Sequence, residues 1–469
     1  MWPLKTILYF ALFWVACFMA LVNPIWGVLN YLLAYQTHPV GTWWGIPLAD
    51  LGMRFSFFAI VFTVAGLVTG RKHVPKLVSS VSLWEVGLAL VVLLAAINLL
   101  TGYGYNKSSS YAFEKLWKML VFVFILGRMA TTRKNLWMVL WCLVIGSLYV
   151  GYDAYTADPS AYFQGRLELI GGSDFATTSG TGAHLAAMLP LIGVAFVIAK
   201  QWRWRLLAAL SGAMSINAIV LCRTRSAFIG MFCGAVVALI AAPRPKRFRL
   251  RVLLVVGAVM AFGLTDNYFW ARMNTLTNSD TLESDMATVN RKEIWGLSMQ
   301  LVADHPLGVG PGNFPNVIGH YDPKYYGRSS HNTLIVCVSE LGVHGGLVFL
   351  AMVMGSVGYL WRSYRLADRT HFPVETKLIA YGMLTSLVTY TIAGLGTERF
   401  YCESYWWTLV LPLCLYRTTV REVVFMCAED DLELLNPENQ LDDVPVTCGA
   451  NASEPYDWQA QSAPFGYSG

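Results

Sequence analysis

Pro306-Leu307-Gly308-Val309-Gly310-Pro311-Gly312 and Ser329-Ser330-His331-Asn332-Thr333 punctuate a long polar excursion, from about Leu264 to Gly346, in a chain that otherwise reads as membrane-embedded. Asn290-Arg291-Lys292 and a concentration of Tyr, Asn and His lie in the same stretch. A membrane protein that concentrates this many polar residues in one connection is expected to do its chemistry there. The rest of the chain then reads as the scaffold that holds this segment at one membrane surface.

Only 13% of the 469 residues are charged and 55% are hydrophobic, with a mean hydropathy of +0.48. Soluble globular domains carry about 25% charged residues. Apolar runs of about 17–25 residues, the length a hydrocarbon core demands, recur along the sequence. They lie near 6–22, 23–37, 53–70, 82–100, 112–129, 134–153, 182–199, 205–221, 226–242, 250–265, 331–360, 376–395 and 405–418. The short alternating segments of a transmembrane barrel are absent. The expected fold class is all-α: a polytopic transmembrane helical bundle of about twelve spans with a large helical loop at 266–330.

Basic clusters at Arg71–Lys76, Arg128–Lys134, Lys200–Arg205, Pro243–Arg251 and Trp361–Arg369, then Arg417 and Arg421, follow alternate spans. The positive-inside rule makes them cytoplasmic. Asn23-Pro24 and Asn30 interrupt the first region, which reads as one crossing followed by a partly re-entrant piece. That gives about twelve crossings with both ends cytoplasmic, thirteen being the alternative. The run from Thr6 lacks a small-residue cleavage site and reads as a retained segment. The outer face then receives 38–52, 101–111, 154–181, 222–225, 266–330 and 396–404. Within 266–330, Leu282 to Ala303 has helical spacing, with Ile294, Leu297, Leu301 and Val302 on one face, and His305-Pro306 stops it.

Residues 1–427 form the membrane domain. Residues 428–469 hold nine acidic residues and no Lys or Arg, a composition expected of a disordered cytoplasmic tail. The whole chain carries +5 and the remainder +14, which suits anionic lipid and does not suggest nucleic acid. The nine cysteines form no CxxC and no zinc-spaced Cys/His cluster, and read as small buried hydrophobes. No metal site, cofactor motif or internal repeat is apparent.

Arginine on the outer face runs against the positive-inside bias, yet Arg223, Arg225, Arg291, Arg328 and Arg399 all map there. Arg223-Thr224-Arg225-Ser226 separates two apolar runs with no room for a loop. Paired guanidiniums at a membrane edge can clamp a phosphate bidentately, or can simply snorkel from span ends. His331 opens an apolar helix behind two serines able to cap it. A neutral imidazole there can take a proton from a hydroxyl, or can be an interfacial histidine without a chemical role. His320 and His344 are weaker competitors. The Gly308–Gly312 turn can approach a phosphate with its N–H groups or be a tight turn after a helix, and it matches neither a P-loop nor a dinucleotide fingerprint. Glu398 and Arg399 share a short loop and are expected to pair with each other.

Three of these elements together resemble the O-antigen ligase/polymerase superfamily of bacterial inner-membrane glycosyltransferases. Thr224-Arg225-Ser226-Ala227-Phe228-Ile229-Gly230 is similar to a motif that opens a span. Arg291 with Trp295, Pro306–Gly310 and Phe314 is similar to the motif of the large periplasmic loop. Ser330-His331-Asn332, with Glu340 and Gly342 to Gly346, is similar to the His-Asn motif that ends it. Asn23–Leu29 and His38-Pro39 resemble the exosortase-associated O-glycosylation ligase branch. Ser226 stands where many members have Gly, and Arg223 adds a second cation.

The resemblance implies transfer of a glycan from an undecaprenyl-diphosphate donor to an acceptor hydroxyl of lipid A core, protein or another glycan. It implies a multi-pass protein of the bacterial inner membrane with its site facing the periplasm, using neither nucleotide sugar nor metal and inverting the anomeric centre. Arg225 and Arg291 would hold the diphosphate and His331 would act as the base. Arg223, Arg328, Arg399 and His320 are the further substrate-binding candidates. A polymerase of the same superfamily is the alternative. A polyisoprenoid-linked sugar transporter or flippase is less favoured, because the polar groups gather at one face rather than at the midplane.

Overall fold

Leu83 and Leu100 are 88% and 83% exposed on a helix, Leu83–Thr101, whose other face buries Trp84, Leu88, Val91 and Ala95. A helix that is apolar on its outward as well as its inward side has a non-aqueous solvent around it. In the computed structural model this pattern repeats around a bundle of packed helices. The structure describes residues 2–434 apart from 76–80, 164, 169, 171, 173, 176, 275–285 and 370–372. Among the described residues the strands are a two-residue pair, Tyr162–Phe163 against Arg166–Leu167.

Six helices are long and apolar enough to cross a membrane: Leu4–Val22, Leu83–Thr101, Arg133–Tyr155, Thr178–Ile198, Trp202–Cys222 and Thr333–Asp368. Two bent pairs, Trp43–Asp50 with Phe55–Thr69 and Arg225–Ala241 with Arg244–Gly263, bring the number to eight if each is one span. The other expected spans are helical too. Lys107–Met129, Val374–Gly394 and Glu403–Leu434 carry more charged or hydroxyl side chains. Ile25–Thr37 has 13 residues, about 20 Å of helix, and is buried against its neighbours. There Asn30 donates to the carbonyl of Phe13 at 3.1 Å, so the residue that interrupts the sequence pattern locks this short helix to the first one.

The core centres on the helix Glu403–Leu434, whose Tyr405, Trp406 and Trp407 are almost wholly buried. This helix continues into the acidic stretch expected to be disordered from 428; the remainder, 435–469, lies outside the described residues.

The two ends of the bundle differ in chemistry. Near the start of Leu83–Thr101, Glu85 accepts from Arg128 (Nε at 2.5 Å) and Arg417 (Nη2 at 2.6 Å). Near its other end, Asn98 donates to the carbonyls of Leu307 (2.9 Å) and Glu340 (3.3 Å). Those positions are 13 residues apart, so about 20 Å of helix separates a basic end from the end that carries 306–340.

At that second end the segment after Leu264 folds into helices Asn267–Asn274, Met286–Asp304 and Phe314–Tyr321. Ile294, Leu301, Val309, Phe314, Val317, Ile318 and Tyr325 form a small core of their own, completed by Ile335 of the next helix. Met286–Asp304 stops where His305-Pro306 requires it to.

Thr333–Arg369 is broken at Gly342, where φ is 78°. The broken turn leaves carbonyls without helical donors, and a backbone in an apolar setting must satisfy them. The N–H groups of Val309 and Gly310 donate to Ser339 O (2.9 Å) and Glu340 O (3.0 Å), and the Val343 N–H donates to Pro306 O (3.0 Å). A Cβ on Gly308 (φ 94°) would lie 2.5 Å from the Glu340 carbonyl oxygen, so only glycine permits this approach.

Candidate active site

Glu340 is almost fully buried, and its carboxylate closes the same junction. It accepts from the Gly312 N–H at 2.8 Å, the Phe314 N–H at 3.2 Å and the Tyr401 hydroxyl. With Gly308 N–H on His305 O and Asn313 N–H on Gly310 O, the turn's amides are committed within the protein. The glycine turn is therefore a docking element for the broken helix and not a phosphate cradle.

His331 follows that junction on the chain's way back into the bundle. Its φ is 51°, a left-handed conformation that non-glycine residues seldom hold. The loop fixes it from both sides. The His331 N–H donates to Ser329 Oγ at 3.2 Å, and that hydroxyl donates to Glu398. Asn332 caps the helix, its Oδ1 accepting from the N–H groups of Leu334 (3.0 Å) and Ile335 (3.1 Å). The serines expected to cap instead stay in the loop: Ser330 Oγ bonds Asn332 locally, while the Ser330 carbonyl accepts from Trp295 Nε1 at 2.9 Å. The Trp295 bond ties Met286–Asp304 to the loop, and Arg291 lies one turn earlier on the same side of that helix.

The His331 residue is open to solvent on one side. Crowding of the imidazole on its other side, together with the charges of Arg291, Arg328 and Arg399, pushes its pKa down to about 4. Three of the predicted cations thus act on one ring.

Arg399 is buried and held by two other segments. Its N–H donates to Thr333 Oγ1 at 2.9 Å, and its Nη1 donates to the Asp174 carbonyl at 3.1 Å. The expected Glu398–Arg399 pairing is not formed, because Glu398 turns toward Ser329 and Arg399 turns inward. Arg225 begins the helix Arg225–Ala241 and is buried. Its neighbour Ser226 packs so closely on Gly396 that a Cβ there would meet the Ser226 Cβ at 2.7 Å. Arg225 therefore adjoins the connection that carries Arg399.

Two other candidates are occupied by protein partners. Arg223, also left-handed at φ 47°, donates to the Gly165 carbonyl and to Asp266, and stacks over Tyr268 at 5.3 Å. His320 pairs through Nε2 with Tyr103 Oη at 2.8 Å.

The sequence reading missed a buried network beside Arg399. Asp174 accepts from Lys115 Nζ (2.5 Å), from the Glu403 N–H (3.2 Å) and from Tyr35. Burial alone would raise the Asp174 carboxyl, but Lys115 and Tyr35 outweigh it and hold it below its usual range. Lys115 inside the apolar run 112–129 was the available signal, since a cation in a span marks a partner or a function. Among the described residues no group of three or more His, Cys, Asp or Glu is arranged to hold a metal ion.

Residues 210–350 match the family model described as O-Antigen ligase. The matched span contains Arg225, Arg291, Arg328 and His331 and supports the resemblance to that superfamily; it does not reach Arg399. A comparison with curated proteins finds no match.

Proposed function

We propose that this O-antigen ligase-type membrane protein transfers a glycan from undecaprenyl diphosphate to an acceptor hydroxyl, the acceptor being lipid A core or protein. The observation that carries the reading is His331, held left-handed by Ser329 and Asn332 within the field of three guanidiniums, inside the matched residues.

The chemistry follows from that arrangement. Departure of the lipid diphosphate leaves negative charge on its bridging oxygen and phosphates. Arg291 and Arg225 stabilise that charge most in the transition state, and Arg328 and Arg399 add to the field. The depressed pKa keeps His331 neutral at ambient pH, with a ring nitrogen free to accept the acceptor's proton. General-base help of this kind contributes roughly 10²–10⁴ in rate. Attack from the face opposite the diphosphate inverts the anomeric carbon. No step calls for a metal or cofactor, and activity retained in EDTA is the corresponding expectation. The proposed setting is a bacterial inner membrane crossed about twelve times, with both ends cytoplasmic, 266–330 roofing the site in the periplasm, residues 1–427 as the catalytic domain and 428–469 as an acidic tail.

His331→Ala is the direct test. The variant should remain in the membrane and lose transfer, with lipid-linked glycan accumulating; wild-type transfer would remove the proposal. A polymerase of the same type shares every residue named, and a deletion strain separates the two. Single repeat units accumulate on the carrier lipid for a polymerase, and long chains accumulate for a ligase.

A further inference from the structure

Beside the His331 loop lies a cavity of about 180 Å³ between the helix Lys107–Met129, the glycine turn and the connection 395–402. Tyr111, Lys115, Phe314, Glu340, Glu398 and Tyr401 line it. Sites for drug-sized ligands run to about 300–1,000 Å³, so this one has room for about a single ring. Its wall is mostly apolar and aromatic, as the faces of a sugar ring prefer, with the Glu398 carboxylate able to accept from a hydroxyl.

The charges divide the site in two. Arg291, Arg328 and Arg399 act on His331 from one side. The cavity instead presents Glu398, and its one cation, Lys115, is already paired with Asp174 at 2.5 Å. A diphosphate belongs with the guanidiniums, and the lining residues of the cavity offer it no unpaired cation. Glu398 joins the two halves, since it lines the cavity and accepts from Ser329, whose oxygen in turn accepts the His331 N–H. A ring seated here would lie against the loop whose backbone holds His331 and away from the donor's phosphates.

We infer that this cavity is an acceptor subsite that holds one uncharged sugar ring beside the loop that carries His331. The assignment of an acceptor role rests on the transfer reaction proposed above; the binding of a sugar ring does not.

The test measures binding of methyl glucoside, methyl N-acetylglucosaminide and glucose 1-phosphate to the purified full chain by saturation-transfer NMR, alongside inorganic pyrophosphate. At least one neutral glycoside should bind with its ring protons in contact. Tyr111→Ala and Glu398→Gln should each weaken it at least fivefold and leave pyrophosphate binding unchanged. The Gln side chain still accepts from Ser329, and Tyr111 is exposed, so both variants are expected to fold. Neutral glycosides that fail to bind, or that bind both variants like the wild type, overturn the subsite. Tighter binding of glucose 1-phosphate that is lost in Glu398→Gln gives the cavity to the donor's first ring and overturns the acceptor role. Glycoside binding without any pyrophosphate binding leaves the sugar subsite standing and counts against the transferase reading instead.

Discussion

The acid limb of the pH–rate profile reports His331 directly. An ordinary histidine loses its basic form around pH 6.5. With the ring crowded and three cations nearby, the corresponding point here is about 4. Below that pH the imidazole is protonated and cannot act as a base; above it, transfer should be insensitive to pH down to about 5. Removing a cation should raise the limb, because protonation then meets less repulsion. Arg328 is the suitable cation to remove, being exposed. A unit charge at about 6 Å in a water-like medium contributes roughly 0.7 kcal/mol, which corresponds to about half a pH unit. Arg328→Gln should therefore move the limb from about 4 to about 4.5 without abolishing transfer. The assay is release of polyprenyl diphosphate in vesicles made from native lipids that carry donor and acceptor, run as kcat/KM from pH 3.5 to 8. A wild-type limb near 6.5, or a limb that does not move in Arg328→Gln, would refute the electrostatic account of His331.

Other perturbations probe separate parts of the molecule. Arg225→Lys should impair transfer at least tenfold if the guanidinium fork grips phosphate, since a lysine offers only a point charge; full activity in the same vesicles would reduce Arg225 to a structural cation. Glu85→Gln leaves Arg417 and Arg128 without a carboxylate at the basic end. Breaking a buried ion pair costs about 3–5 kcal/mol, so the melting transition in detergent should fall clearly. Gly342→Ala imposes a side chain at φ 78°, with its Cβ 2.6 Å from the Leu307 carbonyl. About 1–3 kcal/mol of strain is expected there, read as faster proteolysis of the 306–314 turn. Truncation after Leu434 should leave transfer unchanged in the vesicle assay.

What the sequence made legible is what local pattern encodes. The 3.6-residue period placed Met286–Asp304, His305-Pro306 placed its end, and the apolar run after Asn332 placed the helix that His331 precedes. Contacts remote in sequence were not legible. Lys115 and Asp174 are 59 positions apart and Tyr31 and Glu403 are 372 apart, yet each pair is within 2.6 Å. Capping by the serines was a sound local expectation, but Asn332 reaches two helical N–H groups with one oxygen while Ser329 is drawn away by Glu398. The expected Glu398–Arg399 pair failed for a similar reason, because Glu398 is taken by Ser329 and Arg399 by the Asp174 carbonyl, both remote in sequence. The number of spans was blurred by the short helix Ile25–Thr37, by the two bent pairs and by polar side chains within Lys107–Met129, Val374–Gly394 and Glu403–Leu434.

The break at Gly342 explains why these remote contacts meet in one place. A continuous helix from Thr333 would satisfy its own carbonyls and offer nothing to a loop. Broken, it presents Ser339 O and Glu340 O, which the Val309 and Gly310 amides of the glycine turn reach, with the Asn98 side chain also on Glu340 O. Once the turn is seated, its Gly312 and Phe314 amides can reach the Glu340 carboxylate, which also receives Tyr401 from the connection that holds Arg399. The helix carrying Arg291 is then fixed at its end by His305-Pro306 entering the turn and at its middle by Trp295 on the Ser330 carbonyl. A defect at Gly342 should therefore disturb the loop that orders His331 and the helix that delivers Arg291 together. A defect confined to Arg328 should leave both in place and change only the positive field that His331 and the departing diphosphate feel.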